Sequence, residues 1–312
     1  MASRYGKTEL RRLTTAIIIH PSNSLMSPVV LALCSAFLFA VAVQLHNLGL
    51  RHIDSRRGTL ISISSSAALY WVLSPWFLES WYWFTTGAAL FAAIGLFRPF
   101  LSANFAMAGI RFLGPTLSTT LASTAPLFSA LFAIALLGES ITASLIGGTL
   151  AIVTGVVILT YRGNTKSMWP IWALSLPLGA AVLRALAHPM TKLGLDVVPE
   201  PLFAGLVGYS VSLLTGMIAA SIRNAKIVPE IAWSPGITWF LIGGIINGVS
   251  LWSLNTALKM GQVIAVVPIV SISPVISFLL GYFIFRKERF TARIMIAIML
   301  IVPAIVIIAR SN

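Results

Sequence analysis

Ten apolar runs, each about as long as a lipid bilayer is thick, occupy most of this chain and leave few folds open to it. Roughly 20 apolar residues cross the hydrocarbon core as an α-helix, which satisfies its backbone polar groups within the segment. The runs lie at 27–48, 59–78, 81–108, 116–137, 143–161, 170–192, 202–222, 237–257, 261–283 and 292–308. Charges, Pro and Gly separate them, and the eight acids (Glu9, Asp54, Glu79, Glu139, Asp196, Glu200, Glu230 and Glu288) fall in or beside the connections. With 58% hydrophobic and 9% charged residues, the expected fold class is an all-α polytopic membrane protein with ten transmembrane helices. An even number of spans puts both termini on one side.

The net charge of +13 has to be discounted for such a chain. Most Lys and Arg sit in short connections, where they orient helices and meet lipid headgroups, so the bilayer is the expected partner and nucleic acid is not. Cys34 is the single cysteine and lies in an apolar run, which rules out an intrachain disulfide. Residues 1–26 carry the basic flank of a signal peptide, but their apolar core of about seven residues is interrupted by His20-Pro21, so they read as a retained basic arm.

The chain repeats itself. At an offset of 145, Leu48-Gly49-Leu50 faces Leu193-Gly194-Leu195. At 148 to 149, Ala108-Gly109-Ile110-Arg111 faces Ala257-Leu258-Lys259-Met260, Pro126 faces Pro274 and Glu139 faces Glu288. Two five-span halves follow, 27–161 and 170–310, joined by a linker at 162–169. Because five is odd, the second half enters the membrane from the opposite side, as in transporters built from inverted repeats around a central site.

The segments AGIRFLGPTLSTTLASTAPLFSALFAIALLGESIT (108–142) and ALKMGQVIAVVPIVSISPVISFLLGYFIFRKERFT (257–291) carry a resemblance. Each has a small-residue start, a Pro within an apolar helix, then Gly-Glu or Lys-Glu and another helix. They resemble the two EamA repeats of the drug/metabolite transporter superfamily, and LGLRHIDSRRGTLISISSSAALYW looks like the first hairpin of bacterial members. The resemblance covers nearly all of 27–310. It implies a secondary transporter of a small-molecule substrate in a bacterial cytoplasmic membrane, with a cavity lined by the first, third, fourth, sixth, eighth and ninth helices. It requires no cofactor and no oligomer, a monomer or homodimer being sufficient.

Two arginines are the sharpest clue to the substrate. Arg98 and Arg184 lie near the middle of apolar stretches that contain no acid. A charge at that depth costs at least ~2.5–3.5 kcal/mol and ordinarily faces a cavity with a partner, so an anionic ligand is the expected counter-charge. A guanidinium also offers a planar fork matched to carboxylate or phosphate. Arg98 falls opposite Asn247 in the repeat, and Asn104 opposite Ser253. The polar residues in the six implied runs complete the candidate site: Gln44 and Asn47, Thr120 and Ser123, His188, Asn255, Ser271 and Ser273, with Pro126 and Pro274 as candidate hinges.

Each candidate also has a structural alternative. Pro99 loosens the backbone around Arg98, whose side chain could serve the freed carbonyls. Arg184 could snorkel, His188 could be a packing residue, and the Ser, Thr and Asn could tie helices together. Glu139 and Glu288 suit the positive ends of helix dipoles, and Trp81, Tyr82 and Trp83 suit an interfacial belt.

An enzyme is not expected: the four histidines are scattered, and no metal-ligand spacing, nucleophile motif or nucleotide-binding glycine loop appears. Without an acid at membrane depth, facilitated diffusion or anion exchange is favoured over direct proton antiport. Arg4, Lys7, Arg11, Arg12, Lys192, Lys259 and Arg310 share the side of the termini, against twelve Lys or Arg on the other side. That balance alone argues for termini outside. The four that precede the first span and the resemblance to bacterial members argue for termini inside, which is the expectation adopted.

Overall fold

The computed structural model describes residues 27–160, 170–222, 234–283 and 292–310. The basic arm, the linker and Glu288 lie outside them, as does the side chain of Thr120. The described residues contain no strand. Their twelve helices are α1 Pro28–Gly49, α2 Ser55–Phe77, α3 Thr86–Phe97, α4 Phe100–Ala122, α5 Ala125–Leu137, α6 Ala143–Thr160, α7 Ser175–Val197, α8 Pro201–Ile222, α9 Pro235–Met260, α10 Val263–Val270, α11 Ser273–Phe283 and α12 Ala292–Arg310. Short 3-10 turns at Ser80–Phe84 and Ile171–Leu174 lead into α3 and α7.

These helices make ten spans because three spans are broken and one helix folds back. The third span is α3 and the first part of α4, the fourth is the rest of α4 and α5, and the ninth is α10 and α11. Although α4 is assigned without a gap, a Cβ on Gly109 would lie 2.8 Å from Ser118 Oγ. Nine residues of straight helix separate their ends by about 13.5 Å, so the chain reverses between them, where the sequence places the third connection. Seven helical stretches are long and apolar enough to cross a membrane, with three shorter apolar ones at Ala125–Leu137, Ala143–Ile158 and Met295–Arg310.

Local chemistry sets the ends. Ser27 Oγ caps α1 by accepting from Val30 N at 3.2 Å, and Pro28 occupies the first turn, where a missing N–H removes nothing. Asp54 and Thr85 cap α2 and α3 in the same way. Gly138, at φ 64°, ends α5 in the left-handed conformation open to glycine.

The packing is a two-fold pattern in which each half buries its helices against the other. The first span lies on the eighth and ninth, and the sixth lies on the third and fourth; the second lies on the eighth, and the seventh on the third. The second also meets the seventh, and the fifth meets the tenth. Exchanging each span for the one five places on leaves this set unchanged. Individual contacts obey the same rule. A Cβ on Gly49 would meet Phe240 Cδ2 at 2.5 Å, and one on Gly194 would meet Phe91 Cζ at 2.8 Å. Gly49 and Gly194 are repeat partners, as are Phe91 and Phe240. Helices approach this closely only where one presents no side chain.

One surface expectation is corrected. Trp81, Trp83 and Phe84 are exposed, as a belt requires, but Tyr82 is buried against Phe203, with ring centroids 5.4 Å apart, because the 3-10 turn points it inward.

Candidate functional site

A cavity of about 780 Å³ lies between the halves, within the range of small-molecule sites, ~300–1,000 Å³. Its lining runs from Thr191, Ala204 and Asn255, near the terminus-side ends of their helices, to Ser55 and Thr59 at the start of α2 on the opposite side. It therefore reaches the surface on the side of the first connection.

Arg98 enters it through a break in the third span. The residue before a proline is pushed out of the helical region, and Arg98 is extended, at φ −133° and ψ 133°, between the end of α3 and Pro99. The loosened backbone is served by other groups: Arg98 N donates to Ile94 O at 2.8 Å, Phe100 N to Ser212 Oγ at 3.3 Å, and Ser102 Oγ to Pro99 O at 3.0 Å. The guanidinium is left free for the cavity. In the other half Gly248 stands at the Pro99 position, so α9 runs through unbroken with Asn247 facing the same space.

Arg184 and His188 are one turn apart on α7, and both line the cavity. Arg98 and Tyr209 line the same cavity as Arg184 and His188. Among the described residues neither guanidinium has a hydrogen-bond or ion-pair partner, and the buried His188 Nδ1 has none either. Among the described residues the lining contains no Asp or Glu. Two cations lining one cavity repel one another, an arrangement that an anion relieves. The repeat partners of Arg184 and His188 are Phe39 and Val43, which also line the cavity, so one wall is cationic and the opposite wall apolar.

The remaining candidates divide. Asn247, Asn255, Ser123, Ser271, Ser273, Pro126 and Pro274 line the cavity with the arginines. Asn247 Nδ2 donates to Tyr209 Oη at 2.6 Å, Asn255 Nδ2 donates to Pro201 O at 3.3 Å, and Ser271 Oγ turns back to Val267 O at 2.9 Å. Three candidates lie elsewhere. Asn104 is exposed and donates to Phe100 O at 2.9 Å. Ser102 and Ala106 face the cavity, and Asn104 is two residues, or about 200°, round the helix from each. Gln44 ties α1 to α11 by donating to Ser277 O at 2.7 Å, and Asn47 is exposed at the end of α1.

The six-helix expectation also missed contributors. Tyr209 on α8, Ser55 and Thr59 on α2, and Ile152 on α6 line the cavity; within the six expected helices, Ser35 and Ser250, which are bonded to each other across α1 and α9, line it without having been named. A tyrosine in the middle of an apolar run was a readable signal, since a buried phenol needs a polar partner.

A family model described as the EamA-like transporter family matches residues 26–161 and 171–310. Both halves are covered, and the chain belongs to that family: it is an integral, multi-pass membrane protein whose family moves small solutes. No curated protein matches the chain. One solved crystal structure has a TM-score of 0.74 at 16% identity, over 92% of this chain and 100% of that one, a likeness in fold alone.

Proposed function

We propose that this protein carries a small organic anion, such as an amino acid, organic acid or phosphorylated metabolite, across a bacterial cytoplasmic membrane by alternating access around the central cavity. The observation that carries this reading is the pair of unpartnered guanidiniums, Arg98 and Arg184, in a lining without acids. The substrate's carboxylate or phosphate bridges them, His188 Nδ1 and the Asn247 amide orient it, and the apolar wall at Phe39 and Val43 takes its body. Repeat units 27–161 and 170–310 move against each other at the helix breaks before Pro126 and Pro274, where Thr124 Oγ1 and Ser271 Oγ donate to Leu121 O and Val267 O at 2.6 and 2.9 Å, beside the backbone N–H bonds those carbonyls already accept. Transport is facilitated diffusion or exchange, and the chain acts as a carrier rather than an enzyme.

A thermal-shift screen of purified protein tests the substrate class, because a ligand of the folded state raises apparent stability by mass action. Carboxylates and phosphates are expected to raise the melting temperature, and the rise should vanish in Arg98→Ala. Stabilisation by cations or neutral drug-like solutes, with none from anions, would reject the reading.

A further inference from the structure

The termini side of the cavity is closed by a polar lock that the repeat does not reproduce on the other side. Glu139, in the connection after α5, is the centre of it. Its carboxylate accepts from Val263 N at 2.8 Å and Ile264 N at 3.0 Å, the first two amides of α10. It therefore caps the ninth span and not the helix that follows it in sequence, α6, as the motif alone suggested. Lys192 Nζ, near the end of the sixth span, lies 3.3 Å from Glu139 Oε1 and also donates to Gly261 O at 2.5 Å. The carboxylate is only 6% exposed, so these bonds are shielded from water. Three connections are joined: the one after α5, the end of α7 and the start of α10. Lys192 directly follows the cavity-lining Thr191. Lys259 Nζ adds a bond to Pro199 O at 2.8 Å on the same side.

The repeat arithmetic says what stands at the other end. The partner of Lys192 is Asn47, and the partners of Val263 and Ile264 are Gly114 and Pro115. Asn47 has no charge to bring to a carboxylate, and Pro115 has no N–H to donate. An identical lock cannot form there, and the cavity reaches the surface on that side.

We infer that Glu139 is a gating residue: its carboxylate, reinforced by Lys192, latches the terminus side shut and biases the resting protein toward opening on the side of the first connection. This rests on alternating access but not on the identity of the substrate, so its test uses none. The probe is a membrane-impermeant maleimide, applied from the terminus side to Ala204→Cys in a Cys34→Ser background, in vesicles of known orientation. Ala204 lines the cavity near its terminus-side end and is 7% exposed.

Labelling should be slow with the latch intact and about tenfold faster or more when Glu139→Gln is added, the population change expected on loss of a charge-assisted hydrogen bond. Lys192→Met should raise it less, because the carboxylate keeps both amide bonds. An unchanged rate in Glu139→Gln overturns the inference. Should that variant fail to fold, Lys192→Met decides alone: a faster rate supports the latch, an unchanged rate overturns it, and unfolding of both variants makes the pair a structural tie and not a gate. Failure of the anion reading would show in the thermal-shift screen and leave this labelling untouched.

Discussion

At the scale of single residues, the cavity turns on the geometry of a few polar groups. A lysine at position 98 or 184 keeps the charge but not the fork, so a carboxylate held by two parallel bonds loses about 1–3 kcal/mol of charge-assisted bonding. Arg98→Lys and Arg184→Lys should each retain reduced uptake in liposomes, above alanine and below wild type; full activity would remove the bidentate contact. Tyr209→Phe leaves the Asn247 amide without its 2.6 Å acceptor but keeps the ring that tilts against Tyr70 at 5.9 Å. The expected outcome is a higher KM for uptake with a stability loss of about 1 kcal/mol; a larger loss of stability with KM unchanged would make Tyr209 a packing residue. The arginines were legible in the sequence because a charge inside an apolar run is conspicuous. Tyr209 was not singled out, because the search was confined to six runs. Asn104 was misplaced because matching positions between repeats says nothing about which way a residue faces on its helix.

At the scale of elements, the spans were readable to within about five residues, the sixth shifted most, from 170–192 to Ser175–Val197, since hydropathy marks the apolar stretch and the caps and turns beside it set the helix ends. The break at Arg98-Pro99 was implicit in the proline. Contacts between helices far apart in sequence were not readable, Lys192 with Glu139 among them, because nothing local records them. Close packing of α2 on α9 supplies a test. A Cβ on Gly244 would sit 2.8 Å from Ser62 Cα, a backbone atom with no room to yield. Gly244→Ala should lower stability by about 1–3 kcal/mol, as overpacking does, and cut the folded yield. Gly147→Ala, where nothing lies within 4 Å on the exposed face of α6, should be neutral or stabilising by up to ~1 kcal/mol through helix propensity. Equal melting temperatures for the two variants in a detergent unfolding experiment would count against the α2–α9 packing described.

At the scale of the whole molecule, the two-fold exchange of spans makes the fold and the cavity one construction: each half supplies the surface against which the other buries itself, and the cavity is the space left between them. Single cysteines at Arg56 and Pro170 should label from one side of the membrane, and those at Ser80 and Asp196 from the other. Any other grouping contradicts the inverted topology. The central claim is that Arg98 and Arg184 hold the anion, and the most direct test pairs transport with stability for each alanine variant. Proteoliposomes take up the anion that most raises the melting temperature of the wild type, and the rate is read beside the melting temperature of the same preparation. The expected result is loss of most uptake in both Arg98→Ala and Arg184→Ala with melting temperatures nearly unchanged, because no described residue depends on either guanidinium for a hydrogen bond. Uptake at the wild-type rate by either variant, or a loss of uptake that only follows a fall in melting temperature, would contradict it.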